Sequence, residues 1–137
     1  MAQICNAAGS DWPSLLLRPQ AILSLYRSAP CFSTLHEVIL HRDGPRADLR
    51  LELDRFADSP PRRWDAGFNR VQVVLRFDGL REIDIQRWGW QGALTDGFLE
   101  RHQHGVRFVF VGADVSVNGV SADVDIQRVD GYMDESP

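Results

Sequence analysis

The sequence predicts an α+β fold that is mainly β: an antiparallel sheet, curled or in two layers, of about 7–8 strands with one or two short N-terminal helices. Three observations predict it. Apolar and polar residues alternate strictly over several stretches, as in Ala47, Leu49, Leu51 and Leu53 against Asp48, Arg50, Glu52 and Asp54. That period of two gives a strand with one face buried and one face wet. Turn pairs such as Asp43-Gly44, Asp78-Gly79 and Asn118-Gly119 recur between these runs. The first thirty residues are punctuated by Pro13, Pro19 and Pro30 and lack the alternation.

In chain order, Ser10-Asp11-Trp12-Pro13 offers a helix cap followed by proline at a first helical position. A short helical turn is expected over Ser14–Leu17 and a second over Gln20–Tyr26, with Leu16, Leu17, Ile22, Leu23, Leu25 and Tyr26 covering one end of a core. Leu35–His41 reads as a strand, and Asp43-Gly44-Pro45 joins it to the Ala47–Leu53 strand in a hairpin. A long loop over Phe56–Gly67 follows; loops of this length are functional or disordered in most compact domains. Val71, Val73, Leu75 and Phe77 mark the next strand, and Ile83 and Ile85 another that ends near Trp88-Gly89-Trp90. Asp96-Gly97 is read as a break, Leu99–Gln103 as a short strand, and Val106–Val111 as a longer one. Val115 and Val117 lead into Asn118-Gly119, the strongest type I′ hairpin signal in the chain, with Val120, Ala122, Val124 and Ile126 returning. The expected organisation is one domain over 1–137, with a helical or irregular segment at 1–32 and the antiparallel β region at 33–132. At 137 residues a chain buries roughly two-thirds of its unfolded surface, so a core suffices to hold it.

Composition excludes several functions. The net charge is −4, and all 15 basic residues are Arg, with no Lys. Such a balance disfavours nucleic acid, whose binding rests on neutralising phosphates, and favours a basic partner. Without Lys there is no Schiff-base chemistry and no P-loop lysine. No run of apolar residues is long enough for a membrane span. Met1–Ser10 has neither a basic nor an apolar segment and is read as no secretory signal. Cys5 and Cys31 are too few for a zinc site and are read as free thiols in a reducing cytoplasm, with a Cys5–Cys31 bridge as the lesser alternative.

Candidate chemistry is sparse. His102 and His104 are two apart and would share a strand face, with Glu100 the nearest carboxylate; a metal site or an enzyme would have to rest on these three. His36 and His41, five apart, are expected on opposite faces of a strand. No Gly-x-Ser-x-Gly elbow and no Gly-rich phosphate loop occurs. The carboxylates Asp48, Glu52, Asp54, Asp123 and Asp125 read as wet strand faces, with an acidic recognition surface as the alternative. No cofactor and no metal are expected. The four Trp residues carry more. Trp12, Trp64, Trp88 and Trp90 lie in or beside loops, where they either seal the ends of a small core or form a recognition surface. Trp and Arg dominate binding hot spots, and they are concentrated here in Arg62-Arg63-Trp64 and Arg87-Trp88-Gly89-Trp90. Trp88 and Trp90, two apart, would also suit a carbohydrate platform.

These residues carry a resemblance. Leu-Arg-Leu-Glu-Leu at 49–53, the run from Asp58 to Trp64, Gly67-Phe-Asn-Arg-Val-Gln-Val at 67–73 and the Ile-Asp-Ile strand ending in Trp88-Gly-Trp90 resemble the immunity protein 50 family of bacterial polymorphic toxin systems. The likeness runs from near Trp12 to Tyr132 and is most specific over Pro60–Phe77. It implies a small, non-catalytic cytoplasmic antidote that binds and blocks a cognate toxin domain encoded nearby. The expected contacts are Arg62, Arg63 and Trp64 with Asp58 and Asp65 as charged neighbours, together with Trp88 and Trp90. The alternative is a small-ligand or carbohydrate-binding β-domain that uses exposed Trp residues.

Overall fold

The computed structural model describes residues 11–64, 67 and 70–132. Eight strands follow one another: β1 (Phe32–His41), β2 (Arg46–Leu53), β3 (Arg70–Asp78), β4 (Glu82–Trp88), β5 (Asp96–His102), β6 (Gly105–Val111), β7 (Val115–Ser121) and β8 (Asp123–Tyr132). They make two four-stranded antiparallel sheets, ordered β1-β2-β3-β8 and β4-β7-β6-β5. The alternation drives the layering. Leu49 faces Leu75 and Leu51 faces Val73 across β2 and β3, and all four are fully buried. The second sheet answers with Phe108, Phe110, Val115 and Val117. The inner faces meet at aromatic contacts, Phe77 on Phe108 at 4.1 Å and Phe32 edge-on to Phe110 at 5.3 Å. Each such side chain contributes about 1.5–3 kcal/mol by leaving water.

The sheets share one corner. β3 bends into β4 at Gly79, whose φ of +64° a β-carbon would disfavour, and β7 bends into β8 at Ala122. Arg81 N–H donates to Val120 O and Ala122 N–H to Asp78 O, so the pairing continues round the bend. The N-terminal helices are shorter than the spacing implies: a 3₁₀ turn at Trp12–Leu15 and a single turn, α1, at Gln20–Leu23. Trp12 is fully buried and its Nε1–H donates to Pro30 O at 2.8 Å. Leu16 then lies parallel to β8, where Leu17 N–H donates to Val124 O.

Three expectations are corrected by packing. Asn118-Gly119 is no hairpin: β7 runs straight through it. Gly119 faces Phe108 across β6 and β7, and a β-carbon there would stand 2.5 Å from the ring. The glycine makes room for an aromatic ring, and the turn comes at Ala122. Asp96-Gly97 is no break either, since both residues pair with β6 and Gly97 leaves space for Phe110. His36 and His41 share a face. β1 carries an extra residue at His36, between the pairs Leu35–Leu51 and Glu37–Arg50. That bulge resets the alternation, and His36 reaches Glu52 at 3.2 Å while His41 reaches Asp48 at 3.4 Å.

Every bulge falls on an outer strand: Ser33 and His36 on β1, Gln86 on β4 and Gln127 on β8 are the extra residues. Bulges of this kind protect sheet edges from uncontrolled pairing. Cys31 is disulfide-bonded, which corrects the free-thiol expectation for it. Cys5, the other cysteine of the sequence, lies outside the described residues.

Candidate functional site

The site is built from the end of β4. Trp88 closes that strand opposite buried Val115. The next residues cannot continue the sheet, because Gly89 passes so close to Asp114 that a β-carbon would meet its carboxylate. Asp114 organises the turn. Its carbonyl accepts from Gly89 N–H at 2.7 Å, and its carboxylate accepts from Gln91 N–H at 2.7 Å and Gly92 N–H at 3.1 Å. Gly92, at φ +67°, brings its own carbonyl onto Leu35 N–H of β1 at 2.9 Å. Arg87 adds a bond from Nη2 to Gly112 O. The turn is thereby tied to the β6–β7 connection and to β1.

What this turn presents is Trp90, which is 101% exposed, beside Trp88 at 50%. Neither ring packs on another aromatic ring among the described residues. Both border a groove of about 220 Å³ with Leu35, His36 and Gln91. Trp88 also borders a second groove, of about 280 Å³, with His36, Val38, Leu40 and Ile85. Register explains that second groove. Val38 and Leu40 pair with Leu49 and Ala47, and Ile85 pairs with Val117, so all three point to the inside of the sandwich. They lie on the outermost strands, however, and nothing among the described residues closes the seam. Leu40, Ile85, Trp88 and Trp90 therefore form one open apolar stretch. Clusters of this kind mark contact surfaces.

The long loop places the other expected residues elsewhere. Trp64 is buried, 8% exposed, with its ring over Gly131 of β8. Arg62 and Arg63 are exposed, and Arg63 borders a wide groove of about 970 Å³ between Pro19–Ala21 and Gln127–Asp130. Asp58 is engaged locally, accepting from Arg27 N–H at 2.8 Å. Asp65 lies outside the described residues. Trp64 and Trp12 thus take the core-sealing role open to them, while Trp88 and Trp90 take the exposed one. Asp114, Leu40 and Ile85 were missed. The Gly112-Ala113-Asp114 run signals a turn, but the register that exposes Leu40 and Ile85 depends on the partner sheet.

The outer face of the first sheet is charged, and several of its charges pair with one another. Arg76 holds Asp48 at 2.9 Å, and Glu52 accepts from Tyr132 Oη at 3.1 Å as well as facing His36. Burial pushes the Asp48 carboxyl up, but Arg76, with His41 and Arg46, outweighs it and holds the group below its ordinary range. The His36 hydrogen bond does most to lower Glu52, against a burial effect that raises it. His102 and His104 do not share a strand face, because β5 ends at His102 and Gln103 turns the chain at φ 54°. Among the described residues no three His, Cys, Asp or Glu side chains gather as a metal site would require. No described helix is long and apolar enough to cross a membrane.

Fold and site together define a domain of two antiparallel sheets that exposes an aromatic turn beside an open apolar seam. Residues 18–132 match the family model described as immunity protein 50, and the chain belongs to that family. No curated protein and no solved structure matches it.

Proposed function

We propose that this chain is a non-catalytic antidote that binds a cognate toxin domain of a bacterial polymorphic toxin system and occludes it. Family membership supports an immunity role. The observation that carries the binding reading is Trp90: a fully exposed indole on a turn held by Asp114. The turn backbone is fixed in advance, so binding has only the Trp90 side chain to order, and Trp is enriched at hot spots. Trp88, Leu40 and Ile85 extend the contact. Arg62 and Arg63 are a second contact in this reading, with Asp58 and Asp65 as their charged neighbours in the sequence and buried Trp64 following them.

The decisive experiment is co-expression with the toxin encoded next to the gene. Wild type should bind it and protect cells. Trp90→Ala should lose about 2 kcal/mol or more of binding while melting at the wild-type temperature. If the neighbouring gene product neither binds nor becomes harmless, the antidote reading fails. The proposal includes an encounter in the cytoplasm. A disulfide at Cys31 is chemistry of an oxidising compartment, so thiol titration of protein taken directly from cells tests that part.

A second reading has its own support. Trp88 and Trp90 are both open to solvent along one groove, as a carbohydrate platform requires. Binding to a glycan array that Trp90→Ala abolishes, without any protein partner, would favour it.

A further inference from the structure

The free edge of β1 is already in use at one end. Leu35 N–H donates to Gly92 O and Leu94 N–H to Ser33 O, and Thr34 pairs antiparallel with Ala93. The segment Gly92–Leu94 thus serves as a short extra strand. The pairing stops at the His36 bulge. Beyond it, from Glu37 to His41, β1 matches β2 residue for residue with no further irregularity. Its outer backbone groups over that stretch meet no backbone partner among the described residues. A regular outer strand with unmet N–H and C=O groups is a template for another strand.

The surroundings select what that strand would be. On the inner side, Val38, Leu40, Ile85 and Trp88 border the groove of about 280 Å³, which is mostly apolar and open. An added strand would turn alternate side chains into it. Carboxylates lie on both flanking strands: Glu37 on β1, half-exposed and paired with Arg50 at 3.4 Å, and Glu82 and Asp84 on β4, both exposed, with Asp84 accepting from Gln86 Nε2 at 2.9 Å. The one nearby guanidinium on β4, Arg87, is directed to Gly112 O. The sign agrees with the net charge of −4.

We propose that the β1 edge from Glu37 to His41 accepts an extended segment of the protein partner, apolar at alternate positions and flanked by Arg or Lys. The backbone pairs with β1, the apolar side chains fill the opening between Leu40 and Trp88, and the basic flanks meet Glu82 and Asp84 on one side and share Glu37 with Arg50 on the other. This rests on the reading of the seam as the partner-binding surface, and it adds the mode of binding and the chemistry of the bound segment.

The test uses the full chain and a blocked heptapeptide, Arg-Leu-Thr-Leu-Thr-Leu-Arg, as probe. Bound peptide should slow amide exchange across Glu37–His41 by about tenfold or more. A version N-methylated at alternate residues, and one with Glu at both ends, should each bind about tenfold more weakly. Leu40→Arg, at a half-exposed position, should abolish binding without lowering the melting temperature. No binding at about 1 mM peptide, binding without protection of Glu37–His41, or equal binding of the N-methylated peptide would each overturn the proposal. Toxin protection that depends on Trp90 while the peptide fails would remove strand addition alone. Loss of both would remove the antidote reading with it.

Discussion

Phe108 lies against the backbone of Gly119, so closely that a β-carbon on the glycine would stand 2.5 Å from the ring Cζ and 2.6 Å from Glu82 O. The ring cannot retreat, because Phe77 packs on its other side with centroids 4.1 Å apart. Gly119→Ala should therefore destabilise the protein by about 1–3 kcal/mol, as overpacking does. Chemical denaturation measures this. A wild-type midpoint for the variant would mean that β7 yields more easily than the packing implies.

That contact also explains where the sequence misleads. Asn118-Gly119 has the composition of a hairpin turn, because glycine serves two purposes: positive φ and missing volume. Only the facing strand tells which one applies. The strands of the first sheet were legible since their alternation is local, from Ala47–Leu53 to Val71–Phe77. The N-terminal turns were legible as elements but not in length. The seam was not legible. Leu40 and Ile85 carry the periodicity of core residues, and their exposure follows from their places on the outermost strands β1 and β4, where nothing among the described residues covers them. His36 shows the same limit, because one inserted residue reverses the parity on which face assignments depend.

Trp64 and Trp90 should separate cleanly on truncation. Trp64 is buried on Gly131, so Trp64→Ala should cost about 3–5 kcal/mol. Gly131→Val should act in the same direction by displacing the ring. Trp90 is fully exposed, and its removal should leave the melting temperature within error. Paired thermal melts decide this. An equal loss for both variants would mean that Trp90 carries fold stability and is no free platform.

Acid should weaken the first sheet through Asp48 and Glu52. Both carboxyls sit below their ordinary values of 3.8 and 4.5 in the folded chain. A depressed folded value means stability that is complete above the unfolded value and is lost as pH falls through the folded one. The melting temperature should therefore hold above about pH 5 and decline below about pH 4. Glu52→Gln keeps the shape but has no charge to lose, so its decline should be shallower. Identical slopes for variant and wild type would show that the His36, Tyr132 and Arg70 contacts of Glu52 carry no linked stability.

Asp123 behaves in the opposite sense. It stands directly across from Asp78 in the β3–β8 pair. Burial raises its carboxyl first, and the charges of Asp78 and Asp125 raise it further. A raised value means that the charged form is disfavoured by folding, so ionised Asp123 reduces stability at neutral pH. Like charges placed opposite on a sheet cost about 0.2–1 kcal/mol. Asp123→Asn should stabilise the protein by about 0.5 kcal/mol at pH 7. The hydrogen bond that the Ser121 side-chain hydroxyl donates to the Asp123 carbonyl is untouched by the change. The gain should shrink as pH falls, because the wild-type carboxyl then takes up its proton and the two proteins become alike. Denaturation at pH 7 and pH 4 tests both halves. A gain that persists unchanged in acid would assign it to packing of the amide and remove Asp78–Asp123 repulsion as the cause.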